Sequence, residues 1–120
     1  MNKSIIILPF VIIIYLPSFN VNSVKEIAYQ ASKESLWFSL YQIDSNLYIN
    51  EKVFEENFIT LFVNNIKSYK SIEINYIKAT YLYDGLKTIK DKGNEVYIYI
   101  DYSFHFLKKK LSLGARIKNG

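Results

Sequence analysis

The stretch Val96-Tyr-Ile-Tyr-Ile-Asp-Tyr-Ser-Phe-His-Phe106 alternates between two kinds of residue from one position to the next. Successive side chains of a β-strand point to opposite faces of its sheet, so this alternation predicts a strand with one buried and one solvated face. The even-numbered residues form the apolar set that we expect in the core: Val96, Ile98, Ile100, Tyr102, Phe104 and Phe106. The odd-numbered residues form the solvated set: Tyr97, Tyr99, Asp101, Ser103 and His105.

An amphipathic helix is predicted ahead of this strand, beginning after Asn50 and ending near Lys67. Asn50 is a favourable N-cap, and the negative charge of Glu51 complements the positive end of the helix dipole. Each large apolar side chain contributes about 1.5 to 3 kcal/mol when buried, so we expect the apolar stripe of this helix to pack on the even-numbered face of the strand. That stripe has the three- and four-residue spacing of a helix face and consists of Phe54, Phe58, Leu61, Phe62 and Ile66.

The residues between this helix and the strand alternate with a period of two from Ser71 to Tyr83. The apolar set changes phase near Tyr76-Ile77, which predicts a β-bulge there. Asp84-Gly85 and 91–94 are turn signals, and 86–89 is a short strand or a loop. After the strand, 108–110 is expected to be a charged connection and 111–117 a last, edge-like strand.

A first helix is predicted from Val24 to about Gln42, because Ile27, Ala28, Ala31 and Phe38 recur at helical spacing. The short polar side chains of residues 44–46 are expected to end it. The whole pattern is that of an α+β protein, in which two helices pack on a small antiparallel β-meander.

The N-terminal residues predict export. Lys3 precedes an apolar run from Ile5 to Leu16. The longer stretch from Ile5 to Phe19 supplies about 15 residues, fewer than the roughly 20 apolar residues that a membrane-crossing helix needs. We therefore expect residues 1–23 to form a hydrophobic helix that is either a signal peptide or an N-terminal membrane anchor, with residues 4–19 in contact with the membrane. Cleavage after Ser23 and a helix cap formed by Ser23 and Glu26 are competing uses of the same residues. In both cases residues 24–120 form a single small extracytoplasmic domain, attached to the cell membrane or secreted. A third alternative is that the apolar run is a buried core segment of a cytosolic protein.

Composition and charge narrow the class of protein. The aromatic fraction is 17%, and an exported domain without cysteine resembles a bacterial envelope protein more than a disulfide-rich secreted module. No acidic residue follows Asp101, and this basic tail is either a solvated end or a contact for anionic lipid or a cell-wall polymer. Its five positive charges are Lys108, Lys109, Lys110, Arg116 and Lys118.

No residue is assigned to a catalytic, cofactor-binding or metal site. His105, Asp101 and Ser103 share a strand face, but collinear neighbours about 6 to 7 Å apart do not form a catalytic triad. Glu55 and Glu56 are adjacent on a helix and diverge by roughly 100 degrees, so they do not share a site. With one His and no Cys, and with no phosphate-binding or nucleophile motif, the sequence predicts no enzyme, no cofactor, no small-molecule substrate and no nucleic acid partner.

The order of these segments resembles small TadE-like minor pilins and related pseudopilin-like envelope proteins of Gram-positive bacteria. The resemblance rests on the N-terminal apolar run, the Ala28 and Ala31 pair, the helix Ile49–Ile66 and the strand Val96–Phe106. It implies an anchored N-terminal helix, an extracytoplasmic α+β head and a non-enzymatic role in building a pilus, secretion or conjugation apparatus.

Two functions are therefore expected. The first is a pilin-like structural or assembly protein of the cell envelope, exported and either anchored or released, which acts through contacts with other proteins. The alternative is a small secreted binding or effector protein that uses the tyrosine-rich face of its sheet.

Overall fold

Two helices and seven strands make up the part of the chain that the computed structural model describes, residues 10–15, 23–67, 69 and 71–119. Every pair of strands in it is antiparallel, so the predicted α+β class is confirmed. The elements are β1 (Phe10–Tyr15), α1 (Ser23–Ser39), β2 (Leu40–Ile43), β3 (Asn46–Ile49), α2 (Glu51–Ile66), β4 (Ile72–Tyr83), β5 (Leu86–Lys87), β6 (Glu95–Phe104) and β7 (Leu107–Asn119).

The main sheet has the strand order β1-β7-β6-β4-β5, and β2 and β3 form a separate hairpin. β6 lies at its centre and buries Val96, Ile98, Ile100 and Tyr102, as the alternation predicts. β7 buries residues of the same face, because Leu111 and Leu113 lie opposite Ile100 and Ile98 in the register.

Four of the five residues of the stripe on α2 are buried as predicted, and the fifth, Leu61, is half-buried. Phe54, Phe58, Phe62 and Ile66 belong to the same hydrophobic cluster as the buried residues of β6 and β7. The helix begins as expected, because the Asn50 side chain accepts a hydrogen bond from the Val53 amide at 3.0 Å. The buried residues of α2, β6 and β7 thus form one hydrophobic core.

Two predicted irregularities of β4 are confirmed. The register with β6 shifts between Ile74 and Tyr76, which is the expected bulge. At the other end, Asp84 and Gly85 have φ of 47° and 82°, and two positive φ values are what a tight type I′ hairpin requires.

The end of the first helix differs from the expectation. α1 ends at Ser39 rather than near Gln42, and residues 40–49 form the β2–β3 hairpin. The Ser39 hydroxyl donates to the Leu36 carbonyl, and the Ser39 carbonyl accepts from the Asn50 amide at 2.8 Å. This second bond crosses the base of the hairpin, so tertiary contact decides the boundary.

The strand predicted from Val96 to Phe106 is shorter than expected. β6 stops at Phe104, and His105 and Phe106 form the turn to β7 with φ of 51° and 69°. Phe106 is therefore fully exposed and Phe104 is 40% exposed, although both were expected in the core. Lys108, Lys109 and Lys110 are part of β7 and not a connection, because β7 pairs with β6 from Leu107 onward.

The last strand is also not at the edge of the sheet. β1 pairs with β7 over six residues, from Phe10 opposite Asn119 to Tyr15 opposite Gly114. Residues 10–15 thus form a strand where a hydrophobic helix was expected, since three consecutive isoleucines favour extended structure. The rest of the predicted signal or anchor, residues 1–9 and 16–22, lies outside the described residues. No helix in the described part of the chain is long and apolar enough to cross a membrane.

Candidate functional site: the open face of the sheet

The sheet has a second face, opposite the core, which carries the tyrosines that the alternation placed there. Cross-strand partners share a face, so the register with Tyr97 and Tyr99 of β6 identifies its members on the neighbouring strands. We call this surface the open face: Tyr76, Lys78 and Thr80 of β4, Tyr97, Tyr99, Asp101 and Ser103 of β6, and Lys110 and Ser112 of β7.

Two of the three tyrosines of the open face are exposed, and the third, Tyr99, is half-buried. Tyr76 is 51% exposed and Tyr97 is 39% exposed. The rings of Tyr76 and Tyr99 lie edge to face with centroids 6.2 Å apart, an arrangement that aromatic pairs prefer. The centre of this face is therefore an aromatic surface on rigid strands.

The bulge in β4 adds polar groups to the same surface. Asn75 is the residue of the bulge that has no partner in the register. Its side-chain Nδ2 donates to Ser103 Oγ at 3.1 Å and to Asp101 Oδ1 at 3.4 Å. Tyr76 lies opposite Asp101, and Asp101 lies opposite Lys110 on the other side. Acid, base and amide groups thus surround the aromatic pair, as at the rim of a protein interface.

A second constellation joins α2 to the loop that precedes β6. The Glu51 amide donates to Asp91 Oδ1 at 2.8 Å, and the Asp91 amide donates to Glu51 Oε2 at 3.1 Å. The Tyr41 hydroxyl donates to the Asp91 carbonyl, and the Tyr81 hydroxyl donates to Glu55 Oε2 at 2.9 Å. All three carboxylates at this junction accept hydrogen bonds from groups of the fold itself, so they stabilise the start of α2.

Burial raises the pKa of three tyrosines. For Tyr81 the pKa lies far above the ordinary value, because burial disfavours the phenolate and the hydrogen bond to Glu55 favours the neutral hydroxyl. Burial also raises the pKa of Tyr41, with a further contribution from the charge of Asp91. The pKa of Tyr102 is raised by burial alone.

These shifts predict that the free energy of unfolding falls as the pH rises above about 10. In the unfolded chain tyrosine loses its proton near that pH, whereas folded Tyr41, Tyr81 and Tyr102 keep theirs. The unfolded state then binds fewer protons than the folded state. The contribution of these tyrosines to the free energy of unfolding is therefore complete below about pH 10 and is lost as the pH rises toward their raised pKa values. Urea denaturation at pH 8, 10 and 11 measures the effect.

The Tyr81→Phe variant isolates one of the three residues. Phenylalanine cannot ionise, so we expect a smaller loss of stability between pH 8 and pH 11 than in the wild type. Between pH 7 and pH 8 the free energies of unfolding of the two proteins should differ by a constant amount. This difference reports the hydrogen bond from the Tyr81 hydroxyl to Glu55, which the variant lacks. Equal losses between pH 8 and pH 11 would contradict the assignment to Tyr81.

The structure separates the histidine from its strand neighbours. Asp101 and Ser103 remain on the open face, whereas His105 lies in the β6–β7 turn with its ring 4.3 Å from that of Phe104. Of the two adjacent glutamates, Glu55 binds Tyr81 and Glu56 is exposed. Among the described residues, no three His, Cys, Asp or Glu side chains converge in a way that could hold a metal ion.

A further aromatic surface, which the helical periodicity did not single out as exposed, lies on α1. Trp37 and Phe38 are more than half exposed and border an open cleft of about 490 Å³ with Gln30, Lys33 and Glu34. No local sequence pattern predicts the contacts of Asp91 with Glu51 and with Tyr41, because they join residues that are 40 and 50 positions apart.

Comparison with known proteins adds no relative. The sequence matches no protein-family model and shows no significant match to curated proteins.

Proposed function

We propose that this protein is a non-enzymatic interaction protein of the cell envelope, and that its protein partners bind the open face. The observation that carries the proposal is the group of Tyr76, Tyr97 and Tyr99 on adjacent strands, of which Tyr76 and Tyr97 are exposed and Tyr99 is half-buried. In this proposal the two helices form one layer over β4, β6 and β7, which leaves the opposite face of the sheet for partners.

The open face has the properties of a binding surface. A tyrosine ring offers a large contact area at low conformational cost, and tyrosine is enriched among the residues that dominate binding energy. The edge-to-face contact of Tyr76 with Tyr99 restricts both rings before a partner arrives. Lys78, Asp101 and Lys110 supply charges of both signs around them, which favours a polar rim and a defined orientation.

The envelope location rests on the N-terminal residues. Lys3 and the apolar run from Ile5 to Leu16 have the order of an export signal, and the arrangement of the later segments resembles that of pilin-like proteins. A pilin-like assembly role needs lateral contacts between proteins, and an aromatic sheet face supplies such a contact. No glycine precedes the apolar run, so processing at a glycine is not part of the proposal.

The second candidate is a small secreted binding or effector protein that uses the same face. It is favoured by the fact that every residue of the open face lies within 76–112, outside the N-terminal segment. The mass of the intact protein recovered from membranes and from medium separates the two. A chain that keeps its N-terminus in the membrane fraction supports the assembly role, and a soluble chain that begins near Val24 supports the secreted one.

Photo-crosslinking in cells tests the binding face. A benzophenone amino acid at Tyr99 replaces one aromatic side chain by another at the centre of the open face, and the same amino acid at Phe38 probes the exposed aromatic surface of α1 as a matched control. We expect protein adducts from position 99 and not from position 38. Adducts only from position 38 would overturn the choice of face, and adducts from neither would overturn the proposal.

Once an adduct identifies the partner, its affinity for variants of the open face can be measured. The double substitution Tyr76→Ser and Tyr99→Ser should weaken binding by about tenfold or more, as expected when residues of high binding energy are removed. Thr80→Ser is the control, because it changes a neighbouring exposed side chain of the same strand without removing an aromatic ring.

A further inference from the structure

The β6–β7 hairpin ends in an apolar tip that makes little contact with the core. We call residues 104–107 the hairpin tip. Phe106 is 100% exposed, Leu107 is 60% exposed and Phe104 is 40% exposed. These three large apolar side chains are exposed to water at the end of a hairpin. Together they form an exposed patch of the kind that marks a contact surface.

The backbone of the hairpin tip is unfavourable for the residues it carries. His105 and Phe106 both have positive φ, and a two-residue turn of this type favours Asn-Gly. A bulky aromatic residue in the left-handed region is strained, yet Phe106 occupies it and projects fully into solvent. The turn therefore presents the Phe106 ring outward at the expense of local backbone stability.

Basic residues follow the apolar tip directly. Lys108, Lys109 and Lys110 are all exposed, and residues 102–109 contain no acidic side chain. Of the acids on the adjoining strands, Asp101 lies opposite Lys110, and Glu73 lies opposite Ser103. The charge nearest the tip is thus positive.

The surrounding elements hold the tip at one end of the molecule. The His105 amide donates to the Ser71 carbonyl at 3.1 Å, which ties the turn to the start of β4. Tyr69 is 40% exposed beside this point and lies, with Lys67, at the end of α2. Tyrosine and lysine are side chains that place an apolar body and a polar end across a membrane interface.

We infer that the hairpin tip binds the surface of an anionic lipid bilayer, with Phe106 and Leu107 in the interface and the lysines at the headgroups. The tip is convex and narrow, so it enters a soft surface more readily than it fills a pocket of a folded protein. Apolar burial and attraction to anionic lipid together are what bind peripheral proteins to membranes. This contact is separate from residues 4–19 and shares only Lys110 with the open face as defined above.

A fluorescent label at the tip tests the inference in the full chain. The chain has no cysteine, so His105→Cys accepts an environment-sensitive dye at one position only. With vesicles of phosphatidylcholine in which about one lipid in three is phosphatidylglycerol, we expect a blue shift that is lost in phosphatidylcholine alone and in high salt. Leu86→Cys carries the same dye on the β4–β5 hairpin at the opposite end of the sheet and should show no shift.

Two variants separate membrane contact from loss of structure. Phe106→Gly removes the ring and is compatible with positive φ, so it should leave thermal stability unchanged or higher while it weakens vesicle binding by about tenfold or more. Replacing Lys108, Lys109 and Lys110 by Gln should weaken binding to anionic vesicles by a similar factor. Its control replaces Lys33, Lys52 and Lys87, which are equally exposed elsewhere, by Gln.

The outcomes that overturn the inference are specific. A dye shift at position 86 but not at 105 would place the contact at the other end of the sheet. An unchanged shift in Phe106→Gly would remove the ring from the contact. A shift with soluble polyglutamate equal to that with vesicles would make the partner an acidic polymer and not a bilayer.

Discussion

Phe58→Ala is expected to lower the free energy of unfolding by about 3 to 5 kcal/mol, the usual effect of replacing a buried phenylalanine by alanine. Phe58 is 2% exposed and lies between two other rings of α2, with centroids 6.0 Å from Phe54 and 5.4 Å from Phe62. Its removal leaves a cavity at the centre of the stack. Small domains have free energies of unfolding of only about 5 to 15 kcal/mol, so much of the variant should unfold at moderate temperature.

The neighbouring residue provides the control for this experiment. Ile59 is 42% exposed on the same helix, so Ile59→Ala changes helix propensity and exposed area without opening the core. We expect it to lower the free energy of unfolding by less than about 1 kcal/mol. Chemical denaturation of both variants measures the difference, and an equally small loss for Phe58→Ala would mean that its ring does not contribute to the core.

Ile13→Arg is expected to abolish export, if the envelope proposal is correct. A charge in the middle of the apolar run adds about 2.5 to 3.5 kcal/mol to membrane insertion, which is enough to stop a short segment from being recognised. The same position lies in β1, opposite Arg116 in the backbone register. The export effect should be far larger than the effect on folding.

Protease accessibility of residues 24–120 on intact cells or spheroplasts measures export. The wild-type domain should be cut from outside and the Ile13→Arg domain should be protected. Ile13→Leu keeps the run apolar and should behave like the wild type. Equal protection of wild type and Ile13→Arg would show that the run is not an export signal, and the envelope assignment would then be withdrawn.

The sequence predicted those elements whose pattern and tertiary surroundings agree. The phenylalanine stripe of α2, the alternation from Val96 to Tyr102 and the turn at Asp84-Gly85 each have one periodicity and one local signal. The bulge at Ile74/Tyr76 was visible because the apolar phase changes there. Local physics was sufficient in all of these places.

The errors arose where long-range contacts decide between local alternatives. Leu40 and Tyr41 fit the end of a helix as well as they fit a strand, and the bond from the Asn50 amide to the Ser39 carbonyl is not visible in the local pattern. The alternation through Phe104, His105 and Phe106 predicted continued strand, but β7 folds back at this point and needs a turn. For the same reason the open face was predicted from Tyr97 and Tyr99, whereas the Asn75 bridge to Ser103 was not.

The pairing of β1 with β7 has a consequence for how the protein behaves in solution. β1 satisfies the backbone groups of residues 114–119, a stretch that includes the apolar residues Ala115 and Ile117. A chain cut after Ser23 would lose this strand, and an unpaired strand edge is a template for another chain. The cut would leave the outer edge of β7 without the partner that it has in the intact chain. Removal of the N-terminal residues would therefore change the border of the sheet as well as the N-terminus of the protein.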